Sequence, residues 1–266
     1  MLINLLSVLL LLVLQAAPAA KPSPDLAGIA HVALRVTDVP KSREFYHTLG
    51  FEEAFAFSDP GKPPVSYLKV NDRQFIELYQ RSDDAQPLGL MHVCYEVRDI
   101  DALHEYYVAR GVKAPPAKKA RAGNLLFVLR DPEDQVVEFT EYMPGSLHYE
   151  ARGKHLGESR VSEHMVRATI PVKEVEAERS FYSSRLGFDD EDGKGVVQLR
   201  LPGGSGDEIE LQAGTTTRVA FEVADLARTA KDLQKRALSI QKNDRFISVA
   251  DPDGTLIVFT LAAQTR

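Results

Sequence analysis

The sequence predicts an α+β protein of two tandem domains, each made of two paired βαβββ units. Three observations carry that expectation. Residues 28–51 read as strand, helix, then the start of a second strand. The order strand, helix, three strands then recurs along the chain. The motifs that mark it return in the second half, so four copies of one unit stand in two pairs. The chain has 266 residues, room for two domains of ordinary size. The predicted boundaries are 28–143 and 164–262, with a polar linker over 144–163.

Taken in order, Val32, Leu34 and Val36 alternate with His31, Ala33 and Arg35, the period of a strand with one face on a core. Asp38 and Pro40 open a helix, Phe45, Tyr46 and Leu49 supply its apolar stripe, and Gly50 closes it. Strands over 65–70 and 74–79 are joined by Asn71-Asp72. A strand over 88–97 precedes a helix over 101–110, closed by Gly111. Two strands over 124–129 and 135–142 flank the turn Asp131-Pro132-Glu133-Asp134. In the second half, Arg179-Ser180-Phe181-Tyr182 echoes Arg43-Glu44-Phe45-Tyr46, and Glu208-Ile209-Glu210-Leu211 echoes Phe75-Ile76-Glu77-Leu78. Arg218 to Val223 echoes His92 to Val97, and Asp251-Pro252-Asp253-Gly254 echoes the earlier Asp-Pro turn. His148 and His155, in the linker, are expected to be solvated loop residues. Tyr95, Tyr106 and Tyr107 read as core or helix-face aromatics, Cys94 as a small packing residue with the face of His92 as its alternative, and Lys118, Lys119 and Arg121 as a solvated loop or edge strand.

Residues 5–14 form a Leu/Val run too short to span a bilayer comfortably, followed by Ala17-Pro18-Ala19. This predicts a signal peptide over 1–19, a tether over 20–27, and a periplasmic or secreted protein. The alternative is an uncleaved N-terminal anchor, since the leading residues carry no Lys or Arg. After cleavage no stable membrane association is expected. A net charge of −6 without a long basic run excludes a nucleic-acid partner of the usual kind. A single cysteine allows no internal disulfide.

Four positions of the first pair carry the chemistry: His31, Glu77, His92 and Glu138. Each lies on the strand face away from its apolar neighbours. A lone histidine in such a setting is more often a hydrogen-bonded structural residue. Four donors in repeat-equivalent places are hard to obtain by chance, and two carboxylates buried without a cation would cost several kcal/mol each, of order. If the paired units curl into a cup, these faces converge on an N₂O₂ site for a divalent metal.

With HVALRVTDVPKSREFY, FIELY, MHVCYEV and RDPEDQVVEF in view, the chain resembles the vicinal oxygen chelate superfamily, which includes glyoxalase I, extradiol dioxygenases and bleomycin- and fosfomycin-resistance proteins. The resemblance covers nearly all of residues 28–262 and implies open cup-shaped sheets around a metal. It implies that His31, Glu77, His92 and Glu138 match the four ligands of bacterial-type glyoxalase I, with Zn, Ni or Co first and Fe(II) or Mn next. By the same resemblance Arg35 falls where that family contacts glutathione and Arg81 where it has an Asn, so both are expected to bind substrate, and the Arg81 departure leaves the substrate open.

In the second pair the repeat turns His31 into Arg167, keeps Glu77 as Glu210, and turns His92 into Arg218 and Glu138 into Val258. Guanidinium groups do not ligate metals, so a degenerate domain is expected, with Arg167 and Arg218 beside Glu210 in place of a cation; the alternative is an anion pocket for a carboxylate or phosphate. Three functions follow from the resemblance. One is a glyoxalase-like lyase or isomerase on a small oxygenated substrate, with an enediolate stabilised by the metal and Glu138 or Glu77 as base. The second is an extradiol-type dioxygenase using His31, His92 and Glu138 on Fe(II), although such enzymes usually keep their metal in the second domain. The third is a non-catalytic small-molecule binder of the bleomycin-resistance kind. Since each cup is complete within one chain, a monomer or a homodimer serves.

Overall fold

The computed structural model describes residues 26–191 and 196–262. The expected signal peptide and most of the tether, residues 1–25, lie outside the described residues. The first sheet is formed by β1 (Leu26–Val36), β2 (Glu53–Phe57), β3 (Val65–Lys69), β4 (Phe75–Gln80), β5 (Gly89–Val97), β6 (Lys118–Lys119), β7 (Leu125–Arg130) and β8 (Val136–Glu141). Helices α1 (Val39–Thr48) and α2 (Ile100–Ala109) follow β1 and β5. The strand order is β2-β3-β4-β1-β5-β8-β7-β6. Each unit therefore contributes four strands, and the units join through the antiparallel pair β1·β5. Both units place their first strand parallel to their last, β1 with β4 and β5 with β8.

The second sheet repeats this order in β9 (Met165–Val172), β10 (Asp189–Glu191), β11 (Val197–Arg200), β12 (Glu208–Ala213), β13 (Arg218–Val223), β14 (Gln241–Lys242), β15 (Phe246–Ala250) and β16 (Leu256–Leu261). Two curled eight-stranded sheets with few helices give the expected α+β fold, a tandem of two cup-shaped sheets each built from two paired βαβββ units. A single helical turn, α3 (Leu147–Glu150), stands between them, and α4 (Val175–Ser180) and α5 (Leu226–Lys235) follow β9 and β13.

Local chemistry accounts for the helix ends. The Asp38, Asp99 and Asp225 side chains accept the backbone N–H three residues on, the usual N-cap bond. One difference between repeats has a simple cause. Three residues separate Tyr182 from Leu186 where two separate Tyr46 from Leu49, and the extra one is absorbed as a π-helical turn, Phe181–Arg185.

The helix-side faces of both sheets share one apolar core, with Val32, Leu34, Tyr46 and Phe139 in the same cluster as Ile170, Tyr182, Phe221 and Phe259. Phe51 stacks on Phe221 with ring centroids 5.1 Å apart, and Tyr95 meets Phe188 edge-on at 5.2 Å. The opposite face of each sheet is thereby left free to form a cup.

One expectation needs correction. The segment after β8 is not a plain polar linker. His148 is buried, because Ser146 nucleates α3 and turns residue 148 inward under the first cup. His155 is exposed, as expected. Arg121 is an exposed loop residue, as expected; it also pairs with Asp59 at 2.6 Å and lies 3.8 Å from the Phe57 ring centroid.

Candidate metal centre

Four strands at the middle of the first sheet supply the four donors. His31 on β1, Glu77 on β4, His92 on β5 and Glu138 on β8 share the concave face because strand alternation sends Val32, Ile76, Val93 and Val137 to the core. His31 is the hub. Its Nε2 lies 3.1 Å from His92 Nε2 and 3.6 Å from Glu138 Oε1, and its Nδ1 lies 3.3 Å from Glu77 Oε1. Two sets of side chains offer ligand atoms within 4.8 Å of one another, His31–Glu77–His92 and His31–Cys94–Glu138. Cys94 therefore faces the cup beside Glu138 as well as packing against Ala30 and Phe75. His31 and Glu77 form the floor; His92 and Glu138 stand nearer the mouth.

The electrostatics show what this cluster lacks. Burial pushes Glu138 up to about 7 and holds Glu77 well above the usual carboxylate range, with the Glu138 charge adding to the second shift. Burial also holds His31 below its ordinary value, with His92 and His148 adding to the effect, and drives His92 down to about 4. Among the described residues, the ion-pair partners of Glu77 and Glu138 are imidazoles, and His31 Nδ1 is buried without a hydrogen bond. Neutral imidazoles facing two buried carboxyls are the donor set that a divalent cation satisfies. The residues fit the group.

Three neighbours of Glu77 escaped the sequence reading. Tyr79 donates its hydroxyl to Glu77 Oε2 at 2.9 Å, and Tyr67 lies 3.4 Å from Tyr79 across the hydroxyls. Tyr79 was within reach, since it sits two residues from Glu77 on the same strand face. His148 Nε2 lies 3.9 Å from Glu77 Oε1. No periodicity ties residue 148 to the sheet, so only the folded chain shows it. Arg35 donates to the Pro87 carbonyl at 2.9 Å, and Arg81 pairs with Asp84 at 2.7 Å. Both hold the 81–87 loop in this structure.

In the second cup, Arg167 Nε and Arg218 Nη1 lie 4.0 and 3.8 Å from the two oxygens of Glu210. Arg167 also pairs with Glu208 at 3.1 Å, and Thr169 donates to Glu210 at 3.2 Å. Glu208 occupies the position that Phe75 holds in the first domain, a partner not foreseen for Arg167. Val258 is buried where Glu138 stands in the first cup. The two guanidinium groups thus flank Glu210.

Residues 28–139 match the model of the Glyoxalase/Bleomycin resistance protein/Dioxygenase superfamily. No curated protein matches the chain. Among solved structures, an extradiol ring-cleaving dioxygenase from B. fuscum is 19% identical over 92% of this chain and 74% of its own, with a TM-score of 0.65. The Mn(II)-bound glyoxalase from Novosphingobium aromaticivorans is 16% identical over 89% of this chain and 82% of its own, with a TM-score of 0.67. A homoprotocatechuate 2,3-dioxygenase variant from B. fuscum, in complex with HPCA, is 20% identical over 92% and 73%, with a TM-score of 0.65. At these identities the likeness establishes the fold.

Proposed function

Because residues 28–139 belong to the glyoxalase, bleomycin-resistance and dioxygenase superfamily, we propose that the first cup is a divalent-metal centre and that the protein is a glyoxalase-like lyase or isomerase. It moves a proton between adjacent carbons of a small oxygenated substrate. The observation that carries the reading is the convergence of His31, Glu77, His92 and Glu138 on one concave face. When bound, a divalent ion such as Zn, Ni or Co supplies Lewis acidity toward the substrate's oxygens.

The chain's own residues divide the remaining tasks. Glu138 is more exposed than Glu77, with side-chain accessibilities of 13% and 4%. A substrate entering from the mouth therefore meets Glu138 first, and Glu138 is the group that takes and returns the proton. Glu77 is held from behind by Tyr79 and keeps its place. The second cup, with two arginines around a glutamate, leaves the chemistry to the first.

One observation favours a second reading. His92 and Glu138 approach His31 from its Nε2 side, whereas Glu77 lies on the Nδ1 side. Two histidines and one carboxylate on one side form the donor set of Fe(II) oxygenases, so an extradiol-type dioxygenase is the alternative. One experiment separates the readings. Elemental analysis of purified protein is paired with two assays: deuterium uptake at carbon from heavy water into α-hydroxycarbonyl compounds, and oxygen consumption with catechols after Fe(II) loading. Proton exchange that is lost in Glu138→Gln supports the first reading, and oxygen uptake supports the second. A protein that binds no metal, or binds it equally well as His31→Ala, overturns both.

A further inference from the structure

The chain that leaves the first sheet turns back beneath its cup and is fastened on both sides of α3. Ahead of the turn, Leu147 N donates to the Ala122 carbonyl at 2.8 Å, and Ser146 Oγ accepts Tyr149 N at 3.3 Å. Beyond it, the buried Lys69 ammonium donates to the carbonyls of Ala151 and Lys154. Asp72 pairs with Lys69 at 2.6 Å and accepts Gly153 N at 2.8 Å. A buried lysine used this way spends its three donors on holding one loop.

Between these fastenings sits His148. Its ring stacks on Tyr142, with centroids 4.8 Å apart and planes 11° apart, and takes the edges of Phe55 and Phe75 at 4.9 and 4.7 Å. Its Nδ1 meets Asn124 Nδ2 at 2.9 Å. With the Asn124 amide in this orientation its NH₂ donates, Nδ1 accepts, and the ring proton falls on Nε2. That Nε2 is buried, has no hydrogen-bond partner, and lies 3.9 Å from Glu77 Oε1. A buried N–H without an acceptor is unfavourable and calls for one. Closing the gap to hydrogen-bond length takes about 1 Å of carboxylate movement.

We propose that His148 is a positioning residue for Glu77. Its Nε2–H addresses Oε1 while the Tyr79 hydroxyl holds Oε2, so the carboxylate is fixed at both oxygens in one orientation toward the centre. This rests on the reading of the first cup as a metal centre. Partners of this kind orient a ligating carboxylate, and their loss typically weakens metal binding by about 10–100-fold. The role comes from the segment between the domains, which lies outside the repeated units.

The test compares wild type, His148→Phe, His148→Gln and His31→Ala. Phenylalanine keeps the stack on Tyr142 and removes the N–H; glutamine restores a donor. The readouts are Zn(II) affinity by chelator competition, the visible absorption of the Co(II)-loaded proteins, and the imidazole nitrogen shifts of the metal-free wild type. The proposal expects about 10–100-fold weaker zinc binding and an altered cobalt spectrum in His148→Phe, recovery of most of the affinity in His148→Gln, and an Nε2–H tautomer in wild type. Wild-type affinity and spectrum in a folded His148→Phe overturn it, as does an Nδ1–H tautomer. If His148→Phe does not fold, the tautomer and His148→Gln decide, a glutamine variant as weak as His31→Ala counting against the role. Wild type that binds no zinc, or His31→Ala that binds it as tightly, overturns the metal-centre reading itself. Zinc binding lost in His31→Ala but intact in His148→Phe overturns only the role of His148.

Discussion

At the scale of single residues, the first cup trades stability for ligand placement. Glu138 is largely buried beside a thiol and an imidazole, with no cation of the chain paired to it among the described residues. A neutral amide of the same shape avoids the cost of burying that charge. Metal-free Glu138→Gln should therefore be more stable than metal-free wild type at pH 8, by about 1–2 kcal/mol. Added zinc should raise the melting temperature of wild type and have much less effect on the variant. Urea unfolding with chelator, and thermal melts with and without zinc, check the two halves. Lys69→Met should act in the opposite direction, because it leaves the Ala151 and Lys154 carbonyls without their donor; a loss of about 2–4 kcal/mol is expected by urea unfolding. The four donors were legible in the sequence because each stands opposite apolar neighbours on a strand and the repeat fixes which strands pair. His148 and Lys69 were not, since their partners come from distant segments that share no period with them.

At the scale of elements, the Asp-Pro turns join the domains by bonding the backbone that leads into each other's first helix. Asp253 accepts Thr37 N at 2.9 Å and Thr37 Oγ1 at 2.6 Å, next to the start of α1. Glu133 accepts Lys173 N and Glu174 N at 2.5 and 2.8 Å, next to the start of α4. The two helices depend on this help unequally. Helix α1 has its own cap in Asp38, whereas Glu174, the N-cap of α4, makes no side-chain cap bond. Glu133→Ala should accordingly cost about 1–2 kcal/mol, and Asp253→Ala less, in paired denaturant titrations. Equal losses would show that the turns act only as interdomain contacts. The strands and helices themselves were readable from alternation and caps. The reciprocal bonding was not, although the repeated Asp-Pro motif advertised a common job, because that job is done for the other domain. The π turn follows from a one-residue insertion visible in the echo of the two helices.

At the scale of the whole molecule, the shared core makes one cooperative unit of two sheets, and that unit buries an acid pair at its seam. Glu178 of α4 is fully buried beside Asp131 of the first domain. Glu178 Oε1 accepts Glu133 N at 3.1 Å, while Glu178 Oε2 and Asp131 Oδ2 have no other partner, an arrangement completed by one shared proton. Burial, with the Asp131 charge next, pushes Glu178 up to about 8 from an ordinary 4.5. Between those values the folded chain holds a proton that the unfolded chain has released. Stability from this group is thus complete below about pH 4.5 and is lost as pH rises through about 8. Asp131, pushed up to about 6 chiefly by burial, acts in the same direction over a more acidic range. His148 opposes them on the acid side: burial holds it down to about 3, so stability from its neutral form is lost as pH falls. The metal-free protein should unfold in one transition, with its midpoint falling from pH 6.5 to pH 9. In Glu178→Gln, whose amide keeps the Glu133 contact and never ionises, that fall should flatten, leaving the variant about 1–2 kcal/mol ahead of wild type at pH 9. Urea titrations across that range decide it. Parallel curves for the two proteins would place the proton elsewhere, and two separated transitions would break the single-unit account of the core.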